Sequence, residues 1–257
     1  MTAPIRLGII SALQEEQAGL LETMRELSVV SRGMRKYALG KLGNLECVCV
    51  LSRIGKVAAA TTAATLIERF HVTHIVFTGV AGAADPAIAI GDIVVAQALL
   101  QHDMNAAPLF PRFEIPLLGL SHFAADVALT NDLSGAAVAF LESDLPEVIP
   151  LDERDKFRLS NPRVHRGLIA SGDEFVTNRT RLAQLKGELP ELLAVEMEGA
   201  AVAQVCFEFG VPFAVIRTIS DGANEDSPTD FMQFIDRIAA RYAFGIVRRM
   251  CLTLSPQ

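Results

Sequence analysis

The 257-residue chain contains no tryptophan, few aromatic residues (6%) and only four cysteines. The cysteines, Cys47, Cys49, Cys206 and Cys251, lack the spacing of zinc ligands, so we expect buried free thiols that pack as small apolar side chains. Lysine and arginine are fewer than aspartate and glutamate, 23 against 30, which gives a formal net charge of −7. This acidic balance argues against sequence-independent nucleic-acid binding, because such binding depends on neutralising phosphates with basic side chains.

Long apolar runs are also missing, since no uninterrupted stretch is long enough to span a membrane. The first apolar run ends before Gln14–Gln17 and is too short for the core of a signal peptide, so we expect a cytoplasmic protein. Charged residues make up 21% of the chain and apolar residues 51%, which allows a large core and excludes disorder as the dominant state. So little charge is unusual for a monomer and indicates that part of the surface is hidden between subunits.

Apolar runs of strand length alternate with helical segments along the chain. We predict strands at Ile5–Ser11, Leu45–Ser52, His74–Gly79, Gly91–Ala98, Gly167–Ser171 and Pro212–Ile219. We predict helices at Gln14–Leu27, Ile54–Phe70, Ser121–Phe140, Thr177–Leu189, Glu198–Phe209 and Thr229–Leu254, a turn at Gly79–Ala84, and irregular segments at His102–Gly119 and Leu145–Arg166. Because the strands are continuous apolar runs, the pattern favours a mostly parallel sheet covered by helices on both faces, in a single domain over residues 1–257.

Ligands of open α/β sheets bind beyond the carboxyl ends of the strands, so the residues that follow each strand are the candidates for chemistry. Acidic residues are frequent at these places, and they are Glu15–Glu16, Asp173, Glu196, Glu198 and Asp221. Each of these carboxylates also has an ordinary structural explanation, namely a helix N-terminus or a turn. From the segments alone, a catalytic role and a structural role both stay open.

Other catalytic patterns are missing. The segment Gly79–Ala84 contains glycines but neither a phosphate-loop ending nor the G-x-G-x-x-G spacing, and Ile54–Lys56 holds a lone Gly-Lys pair. His71 and His74 have no third ligand nearby in the sequence, so we expect no metal site. No Gly-x-Ser-x-Gly nucleophile elbow occurs. The sequence therefore points to acid–base chemistry by carboxylates, without a metal, a cofactor or a covalent nucleophile.

Seven segments, in order along the chain, together resemble the 5′-methylthioadenosine/S-adenosylhomocysteine nucleosidases of the nucleoside phosphorylase superfamily. They are Gly8–Glu16, Ser52–Ala60, Thr78–Gly82, Gly91–Val95 with the later His102–Asp103, Ser171–Val176, Val195–Glu198 and Arg217–Asp221. The resemblance implies an α/β, single-domain, three-layer fold with a central mixed sheet flanked by helices. It also implies hydrolysis of the N-glycosidic bond of 5′-methylthioadenosine and S-adenosylhomocysteine, which releases adenine and requires no cofactor.

The resemblance also assigns roles, residue by residue. Glu16 falls on the carboxylate that activates water, and Asp221, oriented by Ser220, falls on the acid that protonates N7 of adenine. Glu198 falls on the acceptor of the ribose hydroxyls. The other substrate-binding positions are Met197 against the sugar with Arg217 nearby, Phe175 stacking on the base, Val176 presenting its backbone to the adenine edge, Ile54 and Phe231 around the ribose and its 5′ substituent, and Val80 and Gly82 of the third segment. These roles suit the chemistry, because the ribose becomes cationic and the adenine electron-rich as the bond breaks.

Water, rather than phosphate, is the expected nucleophile. Phosphorylases of this superfamily carry an arginine and a serine around the third segment, and here those positions are Phe77 and Val80. The phosphate-binding segment after the first strand is replaced by Gln14–Glu16, whose carboxylates would repel an anion. Arg53, at a position where the family usually has glycine, is the one basic residue that speaks against hydrolysis.

Three alternatives stay open: a phosphate-dependent phosphorylase acting on the same nucleosides, a nucleosidase for a futalosine-type nucleoside, and a non-catalytic nucleoside-binding protein. The presence of both Glu16 and Asp221 disfavours the last of these. The resemblance further implies a homodimer in which residues 106–118 of the partner complete the pocket for the 5′ substituent. The expected ligand is a small adenine nucleoside, with neither nucleic acid nor membrane as a partner. The charged segment 145–166 is longer than is usual for the family, and we interpret it as a surface excursion.

Overall fold

A mixed β-sheet runs through the molecule and carries the strand ends that the sequence analysis singles out. The computed structural model describes residues 4–14, 17 and 19–254, except the side chains of Pro228 and Thr229. Its strands are β1 (Arg6–Ser11), β2 (Arg25–Arg32), β3 (Arg35–Leu42), β4 (Leu45–Leu51), β5 (His74–Ala83), β6 (Ile93–Gln101), β7 (Phe123–Ala124), β8 (Val164–Ser171), β9 (Leu192–Glu196) and β10 (Phe213–Asp221). Its helices are α1 (Leu20–Thr23), α2 (Lys56–Phe70), α3 (Val127–Ala139), α4 (Leu145–Val148), α5 (Leu151–Lys156), α6 (Arg179–Glu188), α7 (Gly199–Phe209), α8 (Ser227–Phe234) and α9 (Ala240–Leu254), with π-helical turns at Phe140–Asp144 and Ile235–Ala239.

Strand β5 is the centre of the sheet. It pairs in parallel with β1 on one side and with β10 on the other, and its end pairs antiparallel with β9. The path from β10 through β6, β8 and β9 to β5 closes on itself, while β1, β4, β3 and β2 extend the sheet outward. The register places Gly82 of β5 beside both Asp221 of β10 and Val195 of β9. The carboxyl ends of three strands therefore meet at one point.

Helices cover both faces of this sheet and bury its apolar side chains. On one face α2 packs beside α7, and Ala59, Ala63, Leu66 and Phe70 form the buried stripe of α2 at the spacing expected of an amphipathic helix. On the other face α3 packs against α9. None of the helices in the described part of the chain has the length and apolar character of a membrane span. The predicted three-layer α/β fold with a central mixed sheet is confirmed.

The sheet is less parallel than its continuous apolar runs indicate. Among the described residues, five of the ten strand pairings are antiparallel. Helices cover both faces of the central strands whatever the direction of each strand, so these strands have apolar side chains on both faces and appear in the sequence as apolar runs. Apolar continuity thus reports burial on both faces and leaves strand direction open.

The predicted helix Gln14–Leu27 is wrong at its end, because α1, the helix described within this range, ends at Thr23 and β2 begins at Arg25. The hairpin of β2 and β3 was not predicted from the sequence. Most of β2 is exposed at the edge of the sheet, so it lacks the apolar run of a buried strand. Its turn residues Gly33 and Met34 both have positive φ, 52° and 62°, as a type I′ hairpin turn requires.

Small residues at the end of β5 make room for a neighbour and do not form a turn. The predicted turn Gly79–Ala84 is wrong, since β5 continues to Ala83. A Cβ at Gly82 would lie 2.9 Å from Oδ1 of Asp221 and 3.0 Å from Cβ of Ala223. Glycine is therefore needed there for the close approach of β10.

The structure differs from the predictions at three other places. The helix predicted from Ser121 begins at Val127, because Asp126 caps it by accepting a hydrogen bond from the backbone N–H of Leu129 at 2.8 Å. Strand β9 was not predicted, although it carries Glu196. The segment 145–166 contains α4, α5 and the start of β8, whereas residues 102–119 form turns without a helix or strand, as predicted.

Candidate active site

A cavity of about 340 Å³ opens where the ends of β5, β9 and β10 meet, a volume within the usual range for small-molecule sites. Its lining residues are Ala12, Leu13, Ile54, Val80, Ala81, Gly82, Phe175, Val195, Glu196, Met197, Glu198, Ser220, Asp221 and Phe231. Nine of the twelve residues predicted as catalytic or substrate-binding are in this set. Two larger cavities lie elsewhere: one of about 400 Å³ is lined by residues of α4 and α9 and of the π-helical turn between α3 and α4, and one of about 530 Å³ is lined mainly by charged and polar residues, among them Ser220 at the end of β10.

The three other predicted residues lie elsewhere. Val176 lines a small adjoining cavity of about 20 Å³, together with Asp221 and Phe175. Arg217 is buried behind the cavity and does not line it. Glu16 lies outside the described residues, so its predicted role as the base stays a prediction. Ala12 and Leu13 line the cavity without having been assigned a role, and their only signal in the sequence is their place directly after β1.

Asp221 is the last residue of β10, and its carboxyl group is held in one orientation. Ser220 donates a hydrogen bond from Oγ to Oδ2 at 2.8 Å, and the backbone N–H of Ala223 donates to Oδ1 at 2.9 Å. Only 1% of Asp221 is exposed, although it lines the cavity. A carboxyl group fixed in this way meets the geometric requirement for a general acid that must reach one atom of a bound ligand.

Glu196 and Glu198, two residues apart, have separate surroundings. Glu196 ends β9, and its carboxylate accepts hydrogen bonds from the backbone N–H groups of Glu198 and Gly199. Glu196 therefore caps the N-terminus of α7. Glu198 accepts a hydrogen bond from the backbone N–H of Gly55 at 2.8 Å through Oε1. The structural role left open by the sequence thus belongs to Glu196, and Glu198 is the other carboxylate of this pair that lines the cavity.

Arg217 forms a buried ion pair with Glu196. Its Nη2 and Nε donate to Oε2 of Glu196 at 2.7 and 3.2 Å, and its Nη1 donates to the carbonyl oxygens of Phe77 and Ile216. The guanidinium also lies 4.1 Å from the ring centroid of Phe77. Ser171 donates to Glu196 from its Oγ, which adds a further bond to the carboxylate. Arg217 therefore positions Glu196, and through it the start of α7.

Apolar side chains form the outer part of the cavity. The rings of Phe175 and Phe231 meet edge to face with centroids 5.5 Å apart. Ile54 and Phe175 remain about half exposed, at 56% and 43%, so the cavity is open on this side. The inner end holds Asp221 and the outer end holds these apolar groups, which suits a ligand with a polar base at one end and an apolar substituent at the other.

The charge of the cavity is negative. Of the described residues that line it, three carry a carboxyl group and none is basic, and Arg217 behind the cavity offsets the charge of Glu196 alone. Arg53, the basic residue that spoke against hydrolysis, donates from Nη2 to the carbonyl oxygen of Met34 at 2.8 Å and does not line the cavity. Phe77 is fully buried under Arg217, and Val80 presents an apolar side chain. The described walls therefore favour a ligand that becomes cationic and disfavour an anion.

Comparison with known proteins gives one consistent family. The profile of the phosphorylase superfamily matches residues 6–251. The 5′-methylthioadenosine/S-adenosylhomocysteine nucleosidase of Geobacillus thermodenitrificans is 34% identical over 247 residues, which are 96% of each chain. The crystal structure of the corresponding nucleosidase of Neisseria meningitidis, in complex with methylthio-immucillin-A, matches with a TM-score of 0.84 at 31% identity, covering 95% of this chain and 97% of that one. Futalosine hydrolase of Helicobacter pylori matches with a TM-score of 0.80, also at 31% identity and with the same coverage.

These matches extend over nearly the whole length of both partners in each comparison, and the ordered segments of the sequence analysis fall within them. The fold, the strand-end cavity and the sequence identity all agree. The chain belongs to the 5′-methylthioadenosine/S-adenosylhomocysteine nucleosidase family of the phosphorylase superfamily.

Proposed function

We propose that this chain hydrolyses the N-glycosidic bond of 5′-methylthioadenosine and S-adenosylhomocysteine, releasing adenine and the 5′-thio-ribose product. The observation that carries this proposal is the cavity itself, which holds a buried, oriented acid at Asp221, a second carboxylate at Glu198 and no basic residue among its described walls. The names of the related nucleosidases support the same substrates. In a cell, this reaction serves methionine salvage and removes a by-product of methyl transfer.

Each carboxylate has a distinct task in the proposed reaction. Asp221, in its protonated form, donates its proton to N7 of adenine, so that the base leaves as a neutral molecule. Glu198 accepts hydrogen bonds from the ribose hydroxyls, and its negative charge stabilises the oxocarbenium character of the sugar. Glu16 takes the proton from the attacking water. Each proton transfer contributes about 10²–10⁴-fold to the rate. The bond that breaks joins C1′ to N9 of adenine, and the bond that forms joins C1′ to the water oxygen.

A phosphate-dependent reaction requires cationic or hydrogen-bonding side chains around the anion, and the described walls supply carboxylates and the apolar side chain of Val80 instead. We therefore expect adenine release from 5′-methylthioadenosine at the same rate with and without phosphate. The measurement is chromatographic detection of adenine and of the sugar product in phosphate-free buffer and after addition of phosphate. Strict dependence on phosphate, with a sugar 1-phosphate as the product, would establish the phosphorylase alternative and contradict the proposal.

A futalosine-type nucleoside is the second candidate substrate, because futalosine hydrolase of Helicobacter pylori is as similar to this chain as the nucleosidase of Neisseria meningitidis, at 31% identity. The open side of the cavity next to Ile54 limits the 5′ substituent little within one chain. The same assay with both nucleosides separates the two candidates by the ratio of their kcat/KM values.

We also propose a homodimer in which residues 106–118 of the partner cover the open side of the cavity. In support, this segment exposes two large apolar side chains, Leu109 (84%) and Leu117 (93%), which a monomer would leave in water.

We further propose that residues 1–257 form a single nucleosidase domain and that the protein is cytoplasmic. The four cysteines are free and buried, which supports the cytoplasmic location, because disulfides are rare in that compartment.

Substitution of both leucines by aspartate tests this dimer. We expect the wild type to sediment as a dimer, and the Leu109→Asp/Leu117→Asp double variant to dissociate and to lose at least about tenfold in kcat/KM, because apolar burial at the interface is lost and the 5′ pocket is left open. Leu151→Asp, at another exposed leucine (63%), serves as the control and should change neither property. A wild type that sediments as a fully active monomer contradicts the proposal.

A further inference from the structure

A cluster of hydrogen-bonded polar side chains lies outside the cavity, at the N-terminus of α2. It consists of Lys56, Gln101, Asp103 and Asp173, and we call it the Lys56 cluster. The ammonium of Lys56 donates to Oδ1 of Asp103 at 2.6 Å and to Oε1 of Gln101 at 3.0 Å. Asp103 accepts through Oδ2 from the backbone N–H of Asp173 at 2.9 Å, and Asp173 accepts from the backbone N–H of Lys56 at 2.8 Å. Lys56, Asp103 and Asp173 thus form a closed ring of hydrogen bonds, and Gln101 is attached to it through Lys56.

The Lys56 cluster holds the donor that binds Glu198. Gly55, directly before Lys56, donates its backbone N–H to Oε1 of Glu198 at 2.8 Å. Gly55 has a φ of +96°, a conformation that glycine adopts readily and other residues rarely adopt, so the direction of this N–H depends on glycine at this position. The residue that follows Gly55 is held through the bond from the backbone N–H of Lys56 to Asp173 and through the bond from its ammonium to Asp103. The position of the Glu198 carboxylate therefore depends on hydrogen bonds made by Lys56, the neighbour of its donor Gly55.

The Lys56 cluster is also bonded to α7, the helix that begins directly after Glu198. Gln101, whose oxygen accepts from Lys56, donates from Nε2 to Oε1 of Gln204 at 2.7 Å. Gln204 lies on α7, and Glu198 is the residue that directly precedes this helix. Lys56 consequently ties together both ends of the Glu198–Gly55 hydrogen bond, the acceptor through α7 and the donor through the start of α2.

The charges of the cluster keep it intact near neutral pH. Burial opposes ionisation of Asp103, but the hydrogen bonds from the Lys56 ammonium and from the Asp173 N–H outweigh burial, so the pKa of Asp103 lies below its usual value. The side chains of Lys56 and Asp103 are only 16% and 27% exposed, which shields their ion pair from solvent. Within this cluster, Lys56 is the cation that pairs with Asp103. Removal of the ammonium therefore leaves the Asp103 carboxylate without this ion pair.

We propose that Lys56 is a positioning residue for Glu198 and thereby controls how well the enzyme binds the ribose hydroxyls in the transition state. Lys56 does not line the cavity, so it acts through Gly55, Gln101 and Asp103. This inference rests on the proposed function, because it takes Glu198 as the acceptor of the ribose hydroxyls.

The test compares two substrates, 5′-methylthioadenosine and its analogue without the 2′ and 3′ hydroxyls. We expect Lys56→Met to lower kcat for the hydroxylated substrate by about 10²-fold, the effect of a displacement of about 1 Å in a catalytic group. For the dideoxy analogue the loss should be threefold or less, because Glu198 then has no hydroxyl to bind. Asp103→Asn, a milder change in the same cluster, should show the same selectivity with a smaller loss, which covers the case that Lys56→Met does not fold.

Lys186 offers a matched control. Its ammonium pairs with Asp85 at 2.9 Å, the two side chains are 23% and 28% exposed, and it also donates to the carbonyl oxygens of Pro190 and Leu192. Lys186→Met should therefore lower stability as Lys56→Met does, yet leave the kcat for both substrates unchanged. Equal losses of Lys56→Met on both substrates, or full activity of this variant, would overturn the proposal. A wild type that releases no adenine from any nucleoside refutes the proposed function itself, and with it the role of Lys56.

Discussion

We expect the Asp221→Asn variant to lose about 10²- to 10⁴-fold in kcat for adenine release, the usual contribution of a general acid. Asparagine has the same shape as aspartate and can still accept a hydrogen bond from the N–H of Ala223, which now goes to Oδ1 at 2.9 Å. The hydroxyl of Ser220 can reverse and accept from the new amide. The variant keeps the shape of the site but has no proton to transfer to N7 of adenine. Stopped assays of adenine release give kcat, and a thermal scan checks folding.

A substrate that needs no acid separates proton transfer from a general disturbance of the site. A 4-nitrophenyl 5-methylthioriboside releases a stable phenolate, so its cleavage depends little on Asp221. We expect Asp221→Asn to cleave this compound within about tenfold of the wild-type rate, well above its rate with the adenine nucleoside. A similar loss on both substrates contradicts the role of Asp221 as the acid for the base.

Asp236→Asn provides the matched control. Asp236 lies in the π-helical turn Ile235–Ala239 that follows α8, is exposed and does not line the candidate active site. Removal of this carboxylate should leave the kcat for adenine release within about twofold of the wild type, as most surface substitutions do. Undiminished turnover of Asp221→Asn, or an equally large loss in Asp236→Asn, refutes the assignment.

Most of the buried central strands, with the exception of β9, could be predicted from the sequence, because burial on both faces produces a continuous apolar run whatever the direction of the neighbouring strands. Strand β4, for example, was predicted as Leu45–Ser52 and is found at Leu45–Leu51. The exposed edge strand β2 has no such run, so its first residues, Arg25–Leu27, were predicted as the end of a helix and the rest of the strand was not predicted. Strand direction is set by the order of pairing in the sheet, which apolar runs do not contain.

For the candidate site, the sequence identifies the residues that line the cavity better than the residues that support them. From the strand ends and the family resemblance, Asp221 and Glu198 were predicted as residues of one site, and both line the same cavity. The partners of the supporting residues are distant in the chain, 21 positions for Arg217 with Glu196 and 47 for Lys56 with Asp103. Such pairs depend on how the elements pack, so local patterns do not reveal them. This is why Arg217 was expected beside the substrate and is found behind Glu196.

Of all the substitutions proposed, Arg217→Met is expected to lower the free energy of unfolding the most. Arg217 and Glu196 have side chains only 1% and 3% exposed, so Arg217→Met leaves the Glu196 carboxylate buried without its counter-charge. Breaking a buried pair on one side costs about 3–5 kcal/mol in the free energy of unfolding. Denaturant unfolding followed by circular dichroism measures this loss. For comparison, Arg249→Met breaks the more exposed pair with Asp144, at 33% and 30%, and should cost no more than about 1 kcal/mol.

The double variant Glu196→Gln/Arg217→Met shows whether the loss comes from the orphaned charge. Glutamine, with its single oxygen in the place of Oε2, can still accept the hydrogen bonds that this atom now accepts from the N–H groups of Glu198 and Gly199, while it carries no charge to bury. We therefore expect the double variant to be more stable than Arg217→Met alone, by an interaction energy of about 0.5–3 kcal/mol. If the two changes simply add, or if Arg217→Met costs no more than Arg249→Met, the buried pair does not support this wall of the site. A regain of stability, together with adenine release restored above the level of Arg217→Met, places Arg217 behind the chemistry, acting on the substrate only through Glu196 and the start of α7.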